Sequence, residues 1–87
     1  MIPAHRVSYP NPAQSAVTVP YALPEAGPVE IAVYDVLGKR VAVLVDGAVE
    51  AGRHEARLDA SGLAAGAYFV RLTAGSAHAV QQVVVVR

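Results

Sequence analysis

Cysteine and tryptophan are both absent from this sequence. Without cysteine the chain has no disulfide staple, no thiolate nucleophile and no sulfur ligand for zinc. A small domain of this kind must hold together by packing and strand pairing alone. The lack does not fix a compartment. Aromatic residues make up only 6% of the chain, too few for the flat aromatic platforms that carbohydrate modules often use. Neither sign of charge dominates: Lys+Arg and Asp+Glu are both 7, for a formal net charge of zero. No basic stripe is formed, so nucleic acid is not expected as a partner. Long apolar runs are missing as well. Nothing approaches the roughly 20 consecutive residues of a membrane helix. The start, Met1 to Arg6, has no apolar stretch long enough for a signal peptide. An export signal, if the protein is exported, is therefore expected elsewhere, and Met1 reads as a cloning start on an excised domain.

What is present is a short, apolar, globular composition. The 87 residues are 54% hydrophobic, largely Val and Ala, and 16% charged. That is too apolar and too weakly charged for a disordered tail. One domain is expected, with a thin core, because a chain this short buries only about 60–65% of its unfolded surface.

The dominant hydrophobic period is two. Val29, Ile31 and Val33 share one face of a run, and Val17, Val19, Tyr21 and Leu23 share one face of another. Pro20 cannot donate to a ladder, which places its strand on a sheet edge. Ala56 and Leu58 point inward with Glu55 and Arg57 outward. Tyr68, Val70 and Leu72 point inward with Arg71 outward. Residues 40–45 and 80–86 read as strands whose facing is open, and Arg6 to Tyr9 as a short seventh piece. Leu37-Gly38-Lys39, Asp46-Gly47, Ala51-Gly52, Ser61-Gly62 and Gly75-Ser76 supply turn geometry at intervals of about 8–12 residues. The segment Ala60 to Ala67 allows at most one helical turn, limited by Gly62 and Gly66. Leu63 to Tyr68 has the spacing of a tyrosine corner, in which a Tyr opening a late strand bonds back to upstream backbone. An ordinary inward Tyr is the plainer alternative. The predicted fold is all-β: an immunoglobulin-like Greek-key sandwich of about seven antiparallel strands. Residues 1–14 form a linker with the first short strand, stiffened by Pro10 and Pro12, and residues 15–87 form the sandwich.

No catalytic set emerges. There is no Gly-x-Ser-x-Gly elbow and no nucleotide-binding glycine loop, and Ser8, Ser15, Ser61 and Ser76 all fall in linker or turn contexts. Asp35, Asp46 and Asp59 sit at strand ends beside turns. A calcium site or a carboxylate pair is conceivable there, but turn capping is the expected role, with Asp35 and Gly38 forming one structural turn and Asp59 and Gly62 another. His5, His54 and His78 lack metal-ligand spacing, and the parity of His54 with Ala56 and Leu58 puts it at the rim of the core. No enzyme activity and no cofactor are expected.

The order of several motifs carries a family resemblance. Tyr9-Pro10-Asn11-Pro12, Tyr21-Ala22-Leu23-Pro24-Glu25-Ala26-Gly27 and Val33-Tyr34-Asp35-Val36-Leu37-Gly38-Lys39-Arg40-Val41 come first. Ala51-Gly52-Arg53-His54, Leu58 to Leu63, Gly66 to Leu72 and Val83 to Arg87 come after them. Together they resemble the type A C-terminal sorting domain of the type IX secretion system, over nearly the whole chain from Val7 onward. Ala13 departs from the pattern, which often has Phe after Tyr-Pro-Asn-Pro. The central part is also similar to the immunoglobulin-like domain of flagellar hook-capping proteins. The resemblance implies that a larger protein, often a hydrolase, adhesin or protease, reaches the periplasm by an ordinary signal peptide. This domain is then read by the outer-membrane secretion translocon and in many members cleaved off. The implied sorting motif comprises Tyr9, Pro10, Asn11, Pro12, Gly66, Tyr68, Arg71, Val83, Val84, Val85, Val86 and Arg87. The implied partners are the translocon and an upstream domain of the same chain, and the implied destination is the cell surface or medium.

Two other classes stay open on the residues alone: an accessory polysaccharide-binding module of a secreted glycoside hydrolase, and a structural spacer or assembly domain. The terminal valines bear on all three. Val83 to Val86 put two valines on each face of a strand, so one pair is expected outward, where natural edges usually carry charge. Either Val7 and Tyr9 cover that face, or the strand is kept apolar for the translocon or for self-association with a second copy.

Overall fold

The period-two runs become strands. The computed structural model describes residues 16–86. In it β1 spans Ala16–Leu23, β2 Gly27–Asp35, β3 Arg40–Val49, β4 Gly52–Asp59, β5 Gly66–Ala74 and β6 Ala77–Val85. A single 3-10 turn, Ala60–Gly62, lies between β4 and β5. Every pairing is antiparallel. β1 and β4 form one sheet, and the other runs β3-β2-β5-β6. This is the immunoglobulin pairing of strands B–E against C′–C–F–G, a Greek-key sandwich. Against the expected seven or so strands, six occur among the described residues, and the seventh piece, Arg6 to Tyr9, lies outside them.

Alternation explains the core. Val17, Val19, Tyr21 and Leu23 on β1 are buried against Ala56 and Leu58 of β4 and against Val29, Ile31, Val33, Tyr68, Val70 and Leu72 of the facing sheet. Burying a valine- or leucine-sized side chain stabilises by about 1.5–3 kcal/mol, so these short strands carry the fold with aliphatic side chains and two buried tyrosines, Tyr21 and Tyr68. Pro20 sits opposite Glu55 on the outward face of β1, whose one sheet partner among the described residues is β4. Ala32 breaks the simple reading: its parity is outward, yet it is 1% exposed. It lies opposite Val43 on one side and Arg71 on the other, and its small side chain sits below theirs.

β3 is irregular for a reason legible in its ladder. Its register against β2 shifts between Ile31 and Ala32 and again between Val33 and Tyr34. Each shift leaves one extra residue on β3 and turns the neighbouring side chains to new directions. Strict alternation is lost, and Val41, Ala42, Leu44 and Val45 all pack partly against the core. The expected Asp46-Gly47 turn is not a turn: both residues are inside β3, opposite Glu30 and Val29. The β2 ladder continues to Gly27 opposite Val49 and holds the pair extended. Of the five turn signals, only Leu37-Gly38-Lys39 and Gly75-Ser76 close hairpins. Ala51-Gly52 and Ser61-Gly62 lie where the chain crosses between sheets.

Candidate functional site

Tyr68 is 7% exposed at the start of β5, and its hydroxyl donates to the Ala64 carbonyl at 2.7 Å. That bond ties the crossing from β4 to β5 onto the strand it enters, which is the tyrosine-corner arrangement. Gly66 opens β5 with φ 150° opposite Val85. There the backbone, rather than lack of space, favours glycine, since nothing lies within 4 Å of where a Cβ would stand.

Both predicted aspartate turns are clamps. In the β2–β3 hairpin, Asp35 Oδ1 accepts the Leu37 and Lys39 backbone N–H groups, each at 2.9 Å. The Asp35 N–H donates to the Lys39 carbonyl and the Gly38 N–H to the Asp35 carbonyl, both at 3.0 Å. Gly38 takes the left-handed φ of 82° that this closure needs. At the end of β4, Asp59 Oδ1 accepts the Ser61 N–H at 3.0 Å and the Ser61 hydroxyl at 2.6 Å. The Ser61 hydroxyl and N–H hold the Asp59 carboxyl below its ordinary range. Gly62 ends the adjoining 3-10 turn. Each carboxylate is thus spent on its own turn. No group of three or more His, Cys, Asp or Glu side chains is gathered among the described residues.

His54 stands at the core rim. It stacks on Tyr21 at 5.5 Å between centroids, and its Nε2 lies 2.7 Å from the Glu50 carbonyl. Tyr21 itself is buried, which pushes its hydroxyl pKa up. On the outer face of the four-stranded sheet, Tyr34 lies opposite Phe69, both half-buried. The Arg40 guanidinium lies over the Tyr34 ring at 5.8 Å and within 3.5 Å of Glu30. That ring is therefore covered by its own neighbour.

The terminal strand sorts its valines cleanly. Val83 and Val85 are 0% and 1% exposed, facing inward, while Val84 is 38% exposed on the outer face. Val80 shares the outer face at 55%, directly opposite the exposed Arg71. Val86 is half-buried just past the strand. Tyr9, Pro10, Asn11, Pro12 and Arg87 of the implied sorting motif lie outside the described residues. Gly66, Tyr68 and Val83 to Val86 meet at one end of the β5–β6 pair, with Arg71 farther along it.

Two features escape a reading of the sequence. Val36 and Leu37, at positions that read as hairpin filler, are 67% and 89% exposed. A signal exists for them: turn positions favour small or polar residues, and these two are neither. Gln81 faces inward between Ala79 and Val83, and its buried Oε1 finds no hydrogen-bond partner among the described residues.

The whole is a packed sandwich whose two aspartate clamps serve its own turns. The sequence profile described as secretion system C-terminal sorting domain matches residues 7–86. The chain belongs to that family, the sorting domains of the type IX secretion system, which are secretion signals rather than catalysts. The family's role is in export toward the cell surface or extracellular space. No curated protein and no solved structure matches the chain.

Proposed function

We propose that this domain is the non-catalytic sorting signal of a larger exported chain. It is carried through the periplasm, read by the outer-membrane translocon and delivered to the cell surface or medium. Family membership across residues 7–86 carries the reading. The structure supports a mechanism in which recognition uses side chains that folding does not consume. On the terminal strand the chief candidate is Val80, apolar, outward and 55% exposed opposite Arg71, with Val84 partly exposed on the same face.

Truncating Val83 to Arg87 is a poor test, because it removes two core valines and with them the sandwich. Outward substitutions are cleaner. Val80→Thr with Val84→Thr in a full-length carrier should leave the domain folded while the carrier accumulates in the periplasm. Normal surface delivery of that double variant would refute recognition through this face. Normal delivery of a carrier lacking the whole domain would refute the sorting role itself.

A further inference from the structure

The two ends of β2 carry complementary features. At its C-terminal end the hairpin tip presents Val36 and Leu37, 67% and 89% exposed, beside the exposed Lys39. The tip is rigid, because Asp35 holds the Leu37 and Lys39 backbones through its carboxylate and Gly38 closes on the Asp35 carbonyl. At the N-terminal end of β2, where the β1–β2 connection meets the β5–β6 hairpin, there is an open cavity of about 240 Å³. Its walls include Leu23, Pro24, Pro28, Val29 and Ala74, with Glu25 also on its lining. At about 30 Å³ per water it holds several waters, yet it falls below the roughly 300–1,000 Å³ of small-molecule sites. It has room for one or two aliphatic side chains.

We infer that the Val36-Leu37 tip of one chain seats in the Leu23–Val29 cavity of a second copy, joining domains end to end. Three observations select a second copy as the occupant. The knob and the cavity are both apolar and matched in size. Their flanking charges are opposite, Lys39 at the tip and Glu25 at the cavity, and neither is in an ion pair among the described residues. The two lie at opposite ends of a nine-residue strand, about 27 Å apart at the rise of an extended chain, so a chain cannot fill its own cavity. The clamped turn is already in its bound shape, which limits the ordering cost of association. The contact is heterologous, so it leaves a free tip and a free cavity at the ends of each pair and propagates head to tail, as an open row unless its rotation closes a ring. One turn in one cavity buries far less than a standard interface. The association is weak, roughly millimolar, and takes effect where copies are crowded. It stands independently of the sorting role.

The test uses the 87-residue chain in sedimentation equilibrium from about 0.1 mM to about 5 mM, a range that brackets a millimolar constant. Backbone amide NMR shifts are measured over the same series. Average mass should climb with no plateau at the dimer, and the amides of Leu37 and of Gly27 and Gly75 should shift together. Leu37→Asn, at an exposed position, should keep the fold and weaken association at least tenfold. Glu25→Lys should weaken it as well, and adding Lys39→Glu to that variant should restore it. A monomer at every concentration would overturn the inference. So would association that survives Leu37→Asn, which would move self-contact to another surface such as the terminal strand.

Discussion

Tyr68 offers the sharpest energetic test because its two contributions separate. Tyr68→Phe deletes the hydroxyl and leaves the ring in place. The lost bond, 2.7 Å to the Ala64 carbonyl, is a neutral hydrogen bond, worth about 0.5–1.5 kcal/mol net. Ala64 is exposed, so water can replace the hydroxyl at the carbonyl, and a full desolvation penalty does not apply. About 1 kcal/mol is expected, a fall of about 4–8 °C in Tm for a domain of this size. Tyr68→Ala also removes a ring that is 7% exposed and packed in the core, and should cost about 3–5 kcal/mol. Urea unfolding of the three proteins measures both steps, and an unchanged slope shows that the unfolded state has not shifted. If Tyr68→Phe unfolds like the parent, the hydroxyl does not hold the β4–β5 crossing. If Tyr68→Ala costs no more than Tyr68→Phe, the ring is not a core element.

Gln81→Leu should stabilise the domain by roughly 1–2 kcal/mol, because it removes a buried amide oxygen that has no partner among the described residues and keeps a side chain of similar size; a lower urea midpoint would show that the amide is satisfied. Asp59 should titrate below its ordinary value of 3.8. Its folded pKa is depressed, so its contribution to stability is full above that value and is lost as pH falls through the folded one. Carboxyl-carbon NMR should show a low midpoint that rises in Ser61→Ala, which keeps the backbone N–H and loses the hydroxyl, and an unchanged midpoint would dismiss the hydroxyl bond as the main cause.

How far the fold can be read in advance depends on where the side chains alternate. β1, β2, β4 and β5 are each sided by a run such as Val17, Val19, Tyr21 and Leu23, and in those strands parity is enough, save at Ala32 of β2. β3 resists the same reading because its two register shifts let Val41, Ala42, Leu44 and Val45 all touch the core. Nothing in Arg40 to Val45 marks where a bulge falls. Asp46-Gly47 carries the local signature of a hairpin turn and is nonetheless strand, since eight registered pairs with β2 outweigh a local preference. The two aspartate turns form as expected because each carboxylate reaches two donors at once: Leu37 and Lys39 for Asp35, the Ser61 amide and hydroxyl for Asp59.

The surface proposed for recognition is harder to read than the fold, and the reason is physical. Core residues announce themselves by periodicity, because burial imposes it. An outward residue obeys no such internal constraint, and Leu37, Val80 and Val84 look in the sequence like any other aliphatic positions. They become distinct only once the structure shows Leu37 and Val80 mostly in water and Val84 partly exposed. In a chain this short the distinction matters: Val83 and Val85 are consumed by the core, and changing them confounds recognition with stability. Val84 stands between them on the opposite face. Substitutions at Leu37, Val80 and Val84 change what a partner meets while the sandwich beneath keeps its packing. For the proposed sorting role, Val80 and Val84 rather than the buried valines are the positions at which recognition can be tested apart from stability.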